Sequence, residues 1–140
     1  MVVGIAVLAA NAAAAVWGGI GWLRRDARAL LVFWPLLRLA QATVVAQAIL
    51  GFLLLARGAS APDGLHVAYG IAPLVVSLVS EGMRAGTAQR ELEGVDDVDA
   101  LERPQQLALA RRVALGEMAV MTVGVLLILT LALRAYQTGG

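Results

Sequence analysis

A chain of 140 residues has room for one domain at most. Apolar residues make up 60% of it and charged residues only 15%, against about 25% in a soluble domain, so a water-soluble globule is excluded and the long apolar stretches read as membrane spans. The net charge of +1, without a basic stripe carrying interleaved aromatics, argues against nucleic acid as a partner, and zero cysteines remove disulfides, thiolate metal sites and thiol nucleophiles.

The first span is expected over residues 2–23. Nothing basic precedes Arg24, so the run lacks the positive start of a secretory signal and reads as a retained helix. Gly4, Leu8, Asn11, Ala15, Gly18 and Trp22 share one face, where a neighbouring backbone could come close, and Trp17 and Trp22 lie at belt height. A basic turn, Arg24-Arg25-Asp26-Ala27-Arg28, leads to the second span, which starts either at Ala29 or, the reading preferred here, just after Trp34-Pro35, giving 36–56. Pro35 suits the first turn of a helix, which leaves 29–34 as an interfacial approach. Within that span Arg38, Gln41 and Val45 share one face, and Thr43, Gln47 and Gly51 share another.

Residues 57–64 are dense in turn formers and form a loop. The third span, 65–83, opens on the chain's only histidine, His66, and carries Pro73 as an expected kink. His66, Tyr69, Pro73, Ser77, Ser80 and Arg84 step by three or four residues and share a face. A polar segment, 84–112, follows. Its start continues the third helix, its middle is an acidic connector, and Pro104-Gln105-Gln106 opens a helix that runs into the fourth span, 113–133.

All eleven basic residues are arginine, which together with abundant alanine, glycine and valine suits a high-GC bacterial genome. Arg24, Arg25, Arg28, Arg84, Arg90, Arg103, Arg111 and Arg112 fall at one end of the spans, with Arg38 near them, whereas only Arg57 and Arg134 fall at the other. The positive-inside rule then places both termini and the His66 loop outside a bacterial plasma membrane, and 84–112 in the cytoplasm.

On that topology Arg38, Gln41, Glu81 and Glu117 reach similar depth on three helices, with Arg84 and Arg112 near enough to compete for the carboxylates. Charges in a bilayer pair and face inward. Such a group is either a quinone, lipid-headgroup or proton site, or a paired cluster that fixes helix register. The second reading has the advantage that an Arg–carboxylate pair satisfies both partners. His66 is either a heme ligand, a protonatable group or an interfacial residue, with Tyr69 and Gln47 as its candidate supports. Zinc would need more nitrogen or sulfur ligands than one histidine supplies. The acidic run Asp96, Asp97, Asp99 and Glu102 has the wrong spacing for an EF-hand and reads as a solvated connector. No nucleophile elbow is present.

The run Gln47-Ala48-Ile49-Leu50-Gly51, an outer loop, and Leu65-His66 at the head of the next helix resemble one four-helix half of heme A synthase. That resemblance implies heme ligation by His66. A second histidine heads the first helix of such a half, where this chain has Met1-Val2-Val3-Gly4, so a homodimer would have to supply the other ligand. Along most of its length the chain is also similar to a group of small four-helix membrane proteins of high-GC Gram-positive bacteria. The likeness rests on the Pro62-Asp63-Gly64-Leu65-His66 segment, the Tyr69-Gly70 pair and the later stretch from Ser77 to Arg84. It implies an architecture and no activity.

The expectation is therefore an all-α, integral membrane four-helix bundle of up-down-up-down topology. Its expected role is a non-catalytic accessory subunit acting with lipid and with other membrane subunits or a second copy of itself. The alternative is a heme b or quinone carrier using His66, Tyr69 and Gln47. A small transporter ranks lower, because matched Gly/Pro-broken helices are few.

Overall fold

The computed structural model describes residues 2–60 and 64–138. Four helices alternate in direction: α1 (Val2–Arg24), α2 (Leu30–Ala56), α3 (Gly64–Leu92) and α4 (Arg103–Thr138), with a 3₁₀ turn at Ala27–Ala29 between α1 and α2. Each is long and apolar enough to cross a membrane. The outward faces are apolar, as at Leu23, Leu31, Phe52 and Leu78, which is the surface a bilayer solvates. The protein is a multi-pass, all-α membrane bundle.

Local chemistry explains where the helices start and stop. α1 ends in a Schellman motif, with Asp26 N–H donating to the Gly21 carbonyl at 3.0 Å and Arg25 N–H to that of Trp22 at 3.1 Å. The left-handed position of this motif, φ 49°, is held by Arg25 rather than by a glycine. The same motif closes α2, where Gly58 takes it at φ 86°. Asp26 then caps the 3₁₀ turn by accepting from Arg28 N–H at 2.9 Å. At the start of α4, Gln105 Oε1 reaches back to accept from Glu102 N–H at 3.1 Å, as in a capping box.

α4 is the central helix. It lies against α1 on one side and α3 on the other, α2 packs on α1, and α2 meets α3 and α4 more lightly. Lipid gives helices no hydrophobic reason to associate, so the seams depend on small residues that allow close approach. A Cβ on Gly18 would collide with Thr122 and the Phe33 ring, and one on Gly21 with Ala29. Along the α3–α4 seam, Gly124 faces Ser80 and Gly116 faces Thr87 in the same way. Phe33, Leu37, Met118, Met121 and Val125 fill the main core, and Val7, Val44, Ile128 and Ala132 fill a second cluster.

Two expectations are corrected here. α2 begins at Leu30 and runs through Pro35 rather than starting after it. The capped 3₁₀ turn starts the helix early, and Phe33, wholly buried against the Gly18 gap, holds residues 30–34 in helical register. The inward face of α1 is also rotated from the expected one. Asn11, Ala15 and Gly18 are buried as expected, but Val7, Ala14 and Gly21 are buried beside them, whereas Trp22 is exposed and nothing lies within 4 Å of where a Cβ on Gly4 would stand. α3 continues unbroken through the buried Pro73 and past the apolar span to Leu92.

Candidate functional site

The seam between α2 and α3 carries the chain's polar chemistry, with a charge cluster toward one end and a cleft toward the other. At the arginine-rich end Glu81 is the hub. Its Oε1 accepts from Arg38 Nη1 at 2.6 Å and from Gln41 Nε2 at 2.7 Å, and its Oε2 accepts from Arg84 Nε at 2.7 Å. Arg38 Nη1 also donates to Gln41 Oε1 at 2.6 Å, and Arg84 Nη1 reaches Glu117 Oε1 on α4 at 3.1 Å. The guanidinium carbons of Arg38 and Arg84 lie 5.8 and 5.7 Å from the centroid of the Trp34 ring, within cation–π range. Two cations and two anions thus neutralise one another on three helices.

Arg112 stands outside this group. Its side chain is 64% exposed and pairs with Glu91 near the end of α3 at 3.4 Å. The two residues lie where α3 and α4 have run beyond their most apolar stretches, so Arg112 meets the carboxylate nearest to it there. Chemically the cluster is a staple. Both oxygens of Glu81 are engaged by donors from its own helix and from α2, which ties α2 to α3 in one antiparallel register.

That register has a consequence further along the seam. With Arg38 and Gln41 opposite Glu81, Gly51 of α2 falls opposite Gly70 of α3, and neither glycine has a heavy atom within 4 Å of where a Cβ would stand. Two facing glycines leave a gap. The gap is a cavity of about 290 Å³ whose walls include Gln47, Gly51, His66, Val67 and Gly70. Phe52 and Ile71 also line it and are exposed on the outer surface, so the cavity opens toward lipid. At about 1.5 Å per residue, His66 lies about 22 Å along α3 from Glu81, so cleft and staple are separate sites.

His66 and Gln47, proposed from sequence as members of one site, therefore meet at one cavity, whereas Tyr69 does not line it. Gln47 Oε1 is buried and has no hydrogen-bond partner among the described residues. The Pro62-Asp63 part of the turn before His66 lies outside the described residues. Gly51, which shares a helix face with Gln47, lines open space, as does Gly70. One pattern could have flagged them. Each polar cleft residue is followed four positions later by a glycine, Gln47 by Gly51 and His66 by Gly70, which puts the missing side chain one turn along the same face.

A heme held by two imidazoles does not fit this donor set, because the chain contains one histidine and the cavity brings one to its wall. Among the described residues no three His, Cys, Asp or Glu side chains converge as they would around a metal ion. Comparison with known proteins returns no matching family model, no similar curated protein and no similar solved structure.

Proposed function

We propose that this chain is a non-catalytic membrane protein that holds a small membrane-soluble ligand in the α2–α3 cleft, with Gln47 and His66 on its walls. The observation that carries this reading is the cavity itself. The α1–α4 and α3–α4 seams are closed by glycines fitted tightly against a neighbour, whereas on the α2–α3 seam Gly51 and Gly70 line a cavity and neither has a heavy atom within 4 Å of where a Cβ would stand. Ligand sites are mostly apolar and concave with a few polar groups that orient the ligand, and they run upward from about 300 Å³. At about 290 Å³ the cleft has the size for a ring or a lipid head rather than for a macrocycle.

The setting that fits this reading is a bacterial plasma membrane, with the arginine-rich end facing the cytoplasm and both termini outside. The arginine distribution supports that orientation. In this setting the protein acts as an accessory component, presenting its ligand to neighbouring membrane subunits or to a second copy of itself.

The test uses the glycines. Gly51→Leu and Gly70→Leu each place a side chain in open space, so both variants should fold while filling the cleft. Wild-type protein in mild detergent should retain a small hydrophobic molecule, detectable by mass spectrometry of an organic extract. Both variants should lose that molecule at unchanged melting temperature. Equal retention by wild type and variants would overturn the assignment of the cleft.

A further inference from the structure

We infer that Arg38 binds the phosphate of a membrane phospholipid, drawn from the leaflet at the arginine-rich end of the bundle. This site lies at the opposite end of the α2–α3 seam from the cleft and does not depend on it. The Arg38 guanidinium gives one nitrogen to the staple: Nη1 donates to Glu81 Oε1 and to Gln41 Oε1, each at 2.6 Å. Among the described residues no acceptor meets Nε or Nη2, and these two nitrogens form one whole edge of the planar group. The side chain is 56% exposed, against 29% for Arg84, so of the two cations in the staple Arg38 is the one turned outward.

Outward here means lipid. Leu31 and Leu39 on α2 and Leu78 on α3 are exposed at this end of the seam, and acyl chains offer no acceptor. Charged N–H groups left facing hydrocarbon are costly, so the open edge needs an acceptor from outside the chain. Depth and direction select the headgroup layer. Arg38 lies about 12 Å along α2 from Leu30, and a headgroup layer is about 5–8 Å deep, so its Cα falls just inside the hydrocarbon. Helical side chains lean toward the N-terminus, which for α2 is the headgroup end, and the guanidinium is carried back toward the phosphates. A phosphate presents two oxygens to one guanidinium edge. Its charge-assisted bonds are about twice as strong as those to a neutral ester carbonyl at the same level. The nearby α1–α2 turn also favours an anion. Arg24, Arg25 and Arg28 stand there with Arg111, whose Nη2 donates to the Arg25 carbonyl at 2.7 Å, against the turn's single carboxylate, Asp26.

The experiment compares lipids that differ in the phosphate. The lipid-stripped full chain in mild detergent is titrated with dioleoylphosphatidylglycerol and with dioleoylglycerol, which has the same tails and no phosphate, and bound lipid is counted by native mass spectrometry. One phosphatidylglycerol should bind at least about tenfold more tightly than the diacylglycerol. Arg38→Lys keeps a cation for Glu81 but lacks the second edge, and it should remove that difference. Arg57→Gln, at the other end of the bundle, should leave it unchanged. Equal binding of the two lipids by the wild type, or a preference undiminished in Arg38→Lys, would overturn the site. An equal loss in Arg57→Gln would reduce the effect to net charge and overturn it too. Displacement of the phospholipid by inorganic phosphate at equal concentration would overturn the lipid as the source of the phosphate. Should Arg38→Lys not fold, the ratio of phosphatidylglycerol to diacylglycerol binding on wild-type protein decides alone.

Discussion

Glu81 accepts three charge-assisted or amide hydrogen bonds from three side chains, and removing it leaves two guanidiniums without their principal partner. Glu81→Leu should therefore lower stability in mild detergent by about 2–3 kcal/mol, short of the loss for a fully buried pair because the carboxylate is only partly enclosed. Arg38→Leu should cost less, since Arg84 and Gln41 still hold Glu81, and Arg112→Ala, at an exposed pair, should fall within about 0.5 kcal/mol of wild type. Thermal unfolding of the three variants checks that order, and an Arg112 variant as unstable as the Glu81 variant would contradict it. Arg25 poses the opposite case. It occupies a left-handed position that glycine takes without steric cost, while its carbonyl, not its side chain, accepts from Arg111 Nη2 at 2.7 Å. Arg25→Gly should thus raise stability by about 0.5–1 kcal/mol, and Gly58→Ala, at the same position of the α2 motif, should lower it by a similar amount.

At the scale of the helices, glycines divide by what faces them. Gly18 and Gly124 are contact points where α4 comes close to α1 and α3, and Gly4, Gly51 and Gly70 face open space. Gly18→Ala should force the Phe33 ring and Thr122 apart and cost about 1–3 kcal/mol. Gly4→Ala meets nothing and should be neutral or stabilising by up to about 1 kcal/mol. Melting curves of the pair separate a seam glycine from a bystander. Pro35 teaches a similar lesson. By itself it marks a helix start, yet the burial of Phe33 between helices outweighs that local preference and extends α2 back to Leu30.

For the molecule as a whole, α1 packs closely on α2 and α4, and α3 on α4, whereas the α2–α3 seam is loose. α4 is clamped by α1 and α3, and α2 is tied to α3 by the charged staple at one end while a cleft separates them at the other. The absence of cysteine from the sequence makes the proposed orientation simple to test. Single cysteines introduced at Ser60 and at Val98 should react with a membrane-impermeant maleimide from opposite sides of intact cells, Ser60 from outside and Val98 only after lysis. Labelling of both from outside would reverse or break the proposed topology.

Reading the chain alone was enough for the solvent, the number of spans and the four-helix layout, because hydropathy and length are properties of a segment and need no neighbour. That Arg38 would meet a carboxylate was legible as well, because a charge in a lipid-facing span must find an opposite charge at its own depth; Glu81 and Glu117 both stood there, and the fold gives Arg38 to Glu81 and Glu117 to Arg84. Only the tertiary structure decided that Arg112 goes to Glu91, that the inward face of α1 runs through Val7 and Gly21, and that Gly51 and Gly70 meet across a gap. Those outcomes depend on how one helix is turned and slid against another, and register is set by contacts between residues far apart in the chain, which no single segment encodes.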